Sequence, residues 1–269
     1  MKMVSKTDMR THSLLAVGMI GLFLFTSLKL SKTAAVTVAP TPEGMVLVPA
    51  GPFLMGHDAD EGLVSKGDAT PSHQVTLAAF YIDKTEVTNE AYKQYCDATG
   101  YPVPPYWQGG TYPAGEAKFP VRFVNWWEAQ AYAQWQGKRL PTEAEWEKAA
   151  RGTDGRTYPW GNEWNSNLLV WGVPGPAEVG SHPDGASPYG VLDMAGNVWE
   201  WTSSWYQAYP GTSSTQTEFG TLYKVVRGGS FGGWPDREFD CATYHRTITR
   251  PQSRSEWVGF RCAKSVDTK

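Results

Sequence analysis

The chain is poor in the features that announce most chemistries. It has three cysteines, Cys96, Cys241 and Cys262, with no CxxC pair and no Cys/His cluster of zinc spacing, which excludes a structural zinc site. It lacks a charge bias: 24 basic against 27 acidic residues leave a formal net charge of -3, and no electrostatic footprint for nucleic acid follows. After residue 28 no apolar run approaches the length of a membrane span. No internal repeat, low-complexity tract or Pro/Gly linker divides the chain after residue 43, so residues 43–269 read as one large domain.

What is abundant is turn chemistry and aromatic rings. Glycine at 28 and proline at 19, with 13 tryptophans and 13 tyrosines, describe a loop-rich fold whose irregular segments are pinned by flat side chains. Modest regular secondary structure is expected. The stretch Val191 to Trp205, VLDMAGNVWEWTSSW, sets Trp199, Trp201 and Trp205 beside Asp193, Asn197 and Glu200, with Gly196 free to turn sharply. Such a cluster suits a ligand pocket or a rigid core around a hard cation.

Lys2, Lys6 and Arg10 precede an apolar run from Leu14 to Leu28, the charged-then-apolar order of a secretory signal. Residues 1–32 are expected to be a signal peptide or an uncleaved N-terminal anchor attached to the membrane through residues 14–28, and 33–42 a tether. The expected location is therefore extracytoplasmic, periplasmic or secreted, with attachment to the inner membrane as one form of it. In such an oxidising compartment three cysteines suggest one bridge and one buried thiol.

Met45 to Met55 reads as strand, turn, strand, and Gln74 to Ile82 as a further strand with Val75, Leu77 and Phe80 inward. Thr88 can cap a helix through Gly100 that buries Ala91, Tyr92, Tyr95 and Cys96. Asn125 with Glu128 caps a second helix, Trp126 to Gln136, whose Trp127, Ala131 and Trp135 form the expected core stripe. Thr142 with Glu145 starts a third, carrying Trp146, Ala149 and Ala150 inward. Val225 to Phe231 and Trp257 to Ala263 read as C-terminal strands. His57 and His73 flank a polar loop and are expected to be ordinary hydrogen-bonded histidines, while Cys241 and His245 have the spacing that faces one way on a helix.

Several strings together carry a resemblance. FYIDKTEVTNEAY (Phe80 to Tyr92), GKRLPTEAEWEKAARG (Gly137 to Gly152), YPWGN (Tyr158 to Asn162), MAGNVWEWTSSW (Met194 to Trp205), RGGSF (Arg227 to Phe231) and GFRCA (Gly259 to Ala263) resemble the formylglycine-generating enzyme family, or sulfatase-modifying factors. The resemblance implies a mixed α/β domain of low regular secondary structure, distantly C-type-lectin-like. In aerobic members two cysteines after the GGS turn hold copper(I) and, with oxygen, convert a cysteine in a CxPxR segment to formylglycine. Here those two positions fall on Gly233 and Glu238, and neither is the thiolate that copper(I) needs, so copper is not expected. The family's calcium site maps onto the Asp193 side chain, the Gly196 and Val198 carbonyls and the Glu200 side chain, a donor set that suits structural calcium. A second, weaker site would use Asn167 and the Leu168 carbonyl. Some relatives bridge the cysteines that match Cys241 and Cys262 to positions held here by Ala133 and Ala150. Those bridges cannot form, which leaves a bridge between Cys241 and Cys262 as the expectation to test.

Two functions are compatible with this. The first is an exported, divergent maturation factor or oxidoreductase acting on a peptide or peptide-derived substrate, in a cleft lined by Ser230, Trp234, Tyr244, His245 and Arg246. Related sulfoxide synthases bind iron through an extra histidine-bearing domain, and His12, His57, His73, His182 and His245 show no such triad here, so iron stays open. The second is a non-catalytic, calcium-stabilised binding or scaffold module at the membrane surface, with Trp234, Asp236, Arg237 and Glu238 as its recognition surface. In both, the partner is a peptide or protein. No nucleophile with an adjacent base is evident, which weighs toward the second, while what the resemblance implies about chemistry weighs toward the first, and the overall reading leans to the first.

Overall fold

The local signals of the middle of the chain become three short helices. In the computed structural model, which describes residues 41–58, 68–234 and 237–266, α1 spans Asn89–Thr99, α2 Trp126–Trp135 and α3 Glu143–Arg151. Each starts where a side chain satisfies an orphan N–H: Thr88 accepts from Ala91 N at 3.2 Å, and complete capping boxes join Asn125 to Glu128 and Thr142 to Glu145. Gly100 ends α1 in the left-handed region. The expected signal or anchor at 1–32, and all of the tether but residues 41 and 42, lie outside the described residues. Among the described residues no helix is long and apolar enough to cross a membrane.

Nine strands are found among the described residues, in three small sheets. β1 (Met45–Val48) pairs antiparallel with β4 (Phe80–Asp83), which pairs with β9 (Ala263–Ser265). β2 (Gly51–Met55) pairs with β3 (His73–Leu77). The third sheet has the order β7-β6-β5-β8, with β5 at Trp199–Trp205, β6 at Lys224–Arg227, β7 at Thr247–Thr249 and β8 at Val258–Gly259. The single strand expected over Gln74 to Ile82 is thus two strands in different sheets. The C-terminal pair is also shorter than expected, because β6 stops before Gly228 and Trp257 to Ala263 holds only β8 and the start of β9.

The main apolar cluster joins Tyr92, Tyr95 and Cys96 of α1 to Ala129, Tyr132 and Ala133 of α2, Trp201 of β5 and Phe260. A second cluster places Trp146, Ala149 and Ala150 of α3 against Val48, Phe80 and Ile82. Helices α1 and α3 bury the faces their periodicity predicts. Helix α2 does not: Trp127 and Trp135 are 53% and 41% exposed, and the small residues of the other face let the helix approach Tyr92 and Phe260 closely.

All three cysteines are free and buried. Cys96 and Cys262 lie in the main cluster and Cys241 in another, with Tyr158, Ala242 and Tyr244, so neither the expected bridge nor a Cys241–Cys262 pair exists. Nor do Cys241 and His245 share a helix. Cys241 closes a 3-10 turn, Glu238–Cys241, and the chain then leaves in extended geometry at Ala242.

Under α3 the polar groups are as densely matched as the apolar ones. Glu143 accepts from Arg227 at 2.7 Å and from Arg246 at 2.7 Å, and Glu147 accepts from Arg227 and Arg151, each at 2.8 Å. Burial pushes the Glu143 carboxyl up, but Arg246 and Arg227 outweigh it and hold it below the ordinary range. This network ties β6 and the 243–246 segment to α3.

Candidate functional site

Strand β6 delivers the chain into a glycine turn that builds the floor of a cleft. Gly228 and Gly229 take φ of 102° and 77°, a region closed to most side chains. A Cβ on Gly229 would also lie 2.5 Å from the Cys241 sulfur. Ser230 and Phe231 follow, and Phe231 N donates to Asn197 O at 2.8 Å while its ring stacks on Trp257 with centroids 4.6 Å apart. Gly232 and Gly233 then pass between two indoles. A Cβ at 232 would meet the Trp257 ring at 1.9 Å, and one at 233 would meet Trp171 Nε1 at 1.7 Å.

Above this strap lies a cleft of about 610 Å³ lined by Gly172, Val173, Trp199, Ser230, Gly232, Gly233, Trp234, Arg237, Asp240, Thr247 and Trp257. Trp234 stands 72% exposed at its rim. Arg237 donates through Nε and Nη2 to the two carboxylate oxygens of Asp240 at 3.0 and 3.1 Å, a planar pair that engages the one cationic side chain among the described residues of the cleft. Burial raises the Asp240 carboxyl above the ordinary range while Arg237 opposes it.

Arg237 and Thr247 also line a smaller polar cavity of about 140 Å³ with Asp68, Tyr206, His245, Arg246 and Ile248. His245 Nε2 stands 3.5 Å from Asp240 Oδ1. Burial, with the charges of Arg227 and Arg237, pushes the imidazole down to about 3, so His245 is neutral at ordinary pH and the contact is not an ion pair.

The expected site residues are therefore divided. Ser230, Trp234 and Arg237 line the cleft together, His245 and Arg246 face the inner cavity, and Arg246 is already engaged by Glu143. Tyr244 belongs to neither, since its ring stacks on His57 at 4.2 Å inside an apolar cluster. Glu238 begins the 3-10 turn beside the cleft without lining it, and Asp236 lies outside the described residues. Asp240, Thr247, Trp199 and Trp257 were not among the candidates. Only Asp240, three residues after Arg237, carried a local signal.

All three thiols are buried and none lines the cleft. Burial pushes the Cys96 thiol up to about 11 and those of Cys241 and Cys262 higher still, far from the thiolate that soft metals bind. Among the described residues no group of three or more His, Cys, Asp or Glu side chains stands close enough to hold a metal, so a cation would need backbone carbonyls as well.

The loop before β5 fits that requirement. Asp193, Gly196 and Asn197 all take positive φ. A Cβ on Gly196 would strike the Val170 carbonyl at 2.5 Å. Asp193 accepts from Gly180 N at 2.6 Å. Glu200 is fully buried, and its oxygens accept from Arg261 and from Trp146 Nε1. Glu86 lies beside them, held by Asn197 at 3.0 Å through one oxygen, while its Oε2 is buried with no partner. Burial, then the neighbouring Asp193, pushes Glu86 well above the ordinary carboxyl range. Three acidic side chains thus lie about one guanidinium, and a hard cation held here would draw on Asp193 and Glu200 together with backbone carbonyls. The Asn167–Leu168 position fits less well: a Cβ on Gly185 would lie 2.0 Å from the Leu168 oxygen, so that carbonyl is covered.

Comparison with known proteins agrees with this architecture. A family model described as a sulfatase-modifying factor enzyme 1-like domain matches residues 31–266. The chain is 34% identical to a formylglycine-generating enzyme of Thermomonospora curvata, over 82% of this chain and 93% of that one. It is also 34% identical to an inactive C-alpha-formylglycine-generating enzyme 2 of Mus musculus, over 82% and 86%. Among solved structures, PvdO from Pseudomonas aeruginosa superposes with a TM-score of 0.69 at 28% identity, covering 82% of this chain and 94% of that chain.

Proposed function

The chain belongs to the sulfatase-modifying factor family, and from that membership we propose that it binds a segment of a peptide or protein partner in the cleft above Gly232 and Gly233, without copper–cysteine chemistry. The observation that carries this reading is the floor of the cleft. Where a metal-holding thiolate would stand, position 233 has no side chain and the Trp171 indole lies against it, and the three thiols of the chain are buried elsewhere. What the cleft offers instead is recognition chemistry: flat rings at Trp199, Trp234 and Trp257, with Ser230, Thr247 and the Arg237–Asp240 pair between them. Asp193 and Glu200, with the Gly196 and Val198 carbonyls, would hold a calcium ion that stiffens the turn into β5. The apolar run at 14–28 behind three basic residues supports an exported, membrane-proximal location.

A second reading, a divergent maturation factor or oxidoreductase acting on a peptide-derived substrate, is supported by Asp240 and His245. At the junction of the two cavities His245 Nε2 lies 3.5 Å from the Asp240 carboxyl, and with burial raising Asp240 that carboxyl is the group that would hold and return a proton, the neutral imidazole serving as its partner.

The test is to incubate the full chain with calcium and with copper(I), measure bound metal, and follow oxygen uptake and peptide conversion with a CxPxR peptide. Calcium uptake, peptide-induced tryptophan quenching that is lost in Trp234→Ala, and no oxygen consumption are expected. Stoichiometric copper with oxygen uptake would overturn the proposal. Peptide conversion lost in His245→Ala would favour the second reading.

A further inference from the structure

We infer that Trp171 is the residue that sets what the cleft can hold: its indole fills the space that any side chain at position 233 would need, so the tryptophan and the bare glycine are two halves of one exchange. The inference rests on the reading of this cleft as a binding site without copper–thiolate chemistry, and it adds the reason that chemistry is barred.

Neither Gly232 nor Gly233 is a glycine for the sake of its backbone, since neither is among the residues of positive φ. Space is the cause. A Cβ on Gly233 would stand 1.7 Å from Trp171 Nε1 and 2.1 Å from both Cδ1 and Cε2, so it would meet the face of the five-membered ring and not a flexible tip. The indole has little freedom to retreat. It packs edge-on to Trp164 with centroids 5.1 Å apart and rests on the cluster of Tyr158, Leu169, Ala195 and Cys241. Ahead of it, Val173 N donates to Phe231 O at 3.0 Å, tying the segment after Trp171 to the start of the strap. On the far side, Trp257 closes on Gly232 at 1.9 Å in the same sense. The strap is therefore clamped between two rings.

The indole N–H carries a cost that marks this as a fitted arrangement. Trp171 Nε1 is buried and has no hydrogen-bond partner, which disfavours the folded state. A ring placed there only to fill a core would serve as well without the nitrogen. What it does by position is close the depth of the cleft below Gly233, which leaves a ligand only the shallow, ring-walled space above.

A double-mutant cycle read by thermal melting of the full chain tests the inference. Gly233→Ala and Gly233→Cys are made in the parent, in Trp171→Ala and in Trp171→Phe. In the parent and in Trp171→Phe, which keeps a ring against the strap, each change at 233 is expected to lower the melting temperature by several degrees. In Trp171→Ala the same changes should lower it far less or not at all. Should Trp171→Ala fail to fold, Trp171→Val supplies the reduced ring volume. Equal losses at 233 in all backgrounds would overturn the inference. These melts use no ligand, so a chain that bound copper and consumed oxygen would sink the functional reading and leave the cycle to stand by itself.

Discussion

Arg261 grips Glu200 with two arms of its guanidinium fork, Nε and Nη2 each lying 2.6 Å from a different carboxylate oxygen, and both side chains are completely buried. The remaining arm, with Nη2, reaches the Asp83, Lys84 and Leu192 carbonyls at 2.9 to 3.3 Å. One residue of the GFRC segment thus joins β5, the end of β4 and the loop that precedes the acidic turn.

Removing one partner of such a pair leaves the other charge stranded. Arg261→Met is expected to cost about 3–5 kcal/mol, seen as a lower urea midpoint. Arg261→Lys should recover only part of that, because an ammonium cannot make the two-pronged contact.

The acidic turn yields a second outcome. If Asp193, Glu200 and the Gly196 and Val198 carbonyls hold calcium, chelation lowers the melting temperature and added calcium restores it. Asp193→Ala should abolish both the bound calcium and the response to chelator. A melting temperature indifferent to chelator in the parent would refute the site.

His245 makes stability depend on acidity. Its imidazole is pushed down to about 3 in the folded chain, against about 6.5 in an unfolded one. Between those values the unfolded state binds more protons, so stability is fully present above the upper value and falls as pH drops toward the lower. The slope attributable to this residue approaches about 1.4 kcal/mol per pH unit. Urea titrations at several pH values should show that slope reduced in His245→Gln.

The thiols give a covalent test of the same packing. Cys241 and Cys262 are wholly buried and Cys96 is 4% exposed, with thiols pushed up to about 11 or beyond. An alkylating agent at neutral pH should leave the folded chain unmodified and add three adducts after denaturation, without prior reduction.

Helix starts were legible because their causes are local: Thr88, Asn125 and Thr142 each cap a turn within three residues. The cleft was half legible, since Ser230 closes the GGS turn and Trp234 and Arg237 follow it in sequence. Its other walls are Trp199, Thr247 and Trp257, brought in by a sheet whose β5–β8 contact is parallel and long-range. The same limit applies to the tryptophan stretch: nothing near Glu200 in sequence shows that Arg261, 61 residues on, donates to both of its oxygens. That Trp171 lies against Gly233 has no local signal at all, because it depends on two irregular loops meeting.

Helix α2 shows where periodicity misleads and how to check it. A stripe of large apolar residues at four-residue spacing, Trp127, Ala131 and Trp135, looks like the buried face. Yet the helix buries Ala129, Tyr132 and Ala133, because the Tyr132 ring packs edge-on against Phe260 at 5.4 Å and the two alanines beside it let the helix come close. Trp127 touches Trp126 at 4.7 Å and is otherwise largely in solvent. Trp127→Ala should therefore change stability by less than about 1 kcal/mol, within the range of surface substitutions. Ala133→Leu, at a position with no exposed surface, should cost about 1–3 kcal/mol through overpacking. Denaturant melts of the two variants read the orientation directly: the reverse order of losses would mean that α2 is rotated to bury its tryptophans.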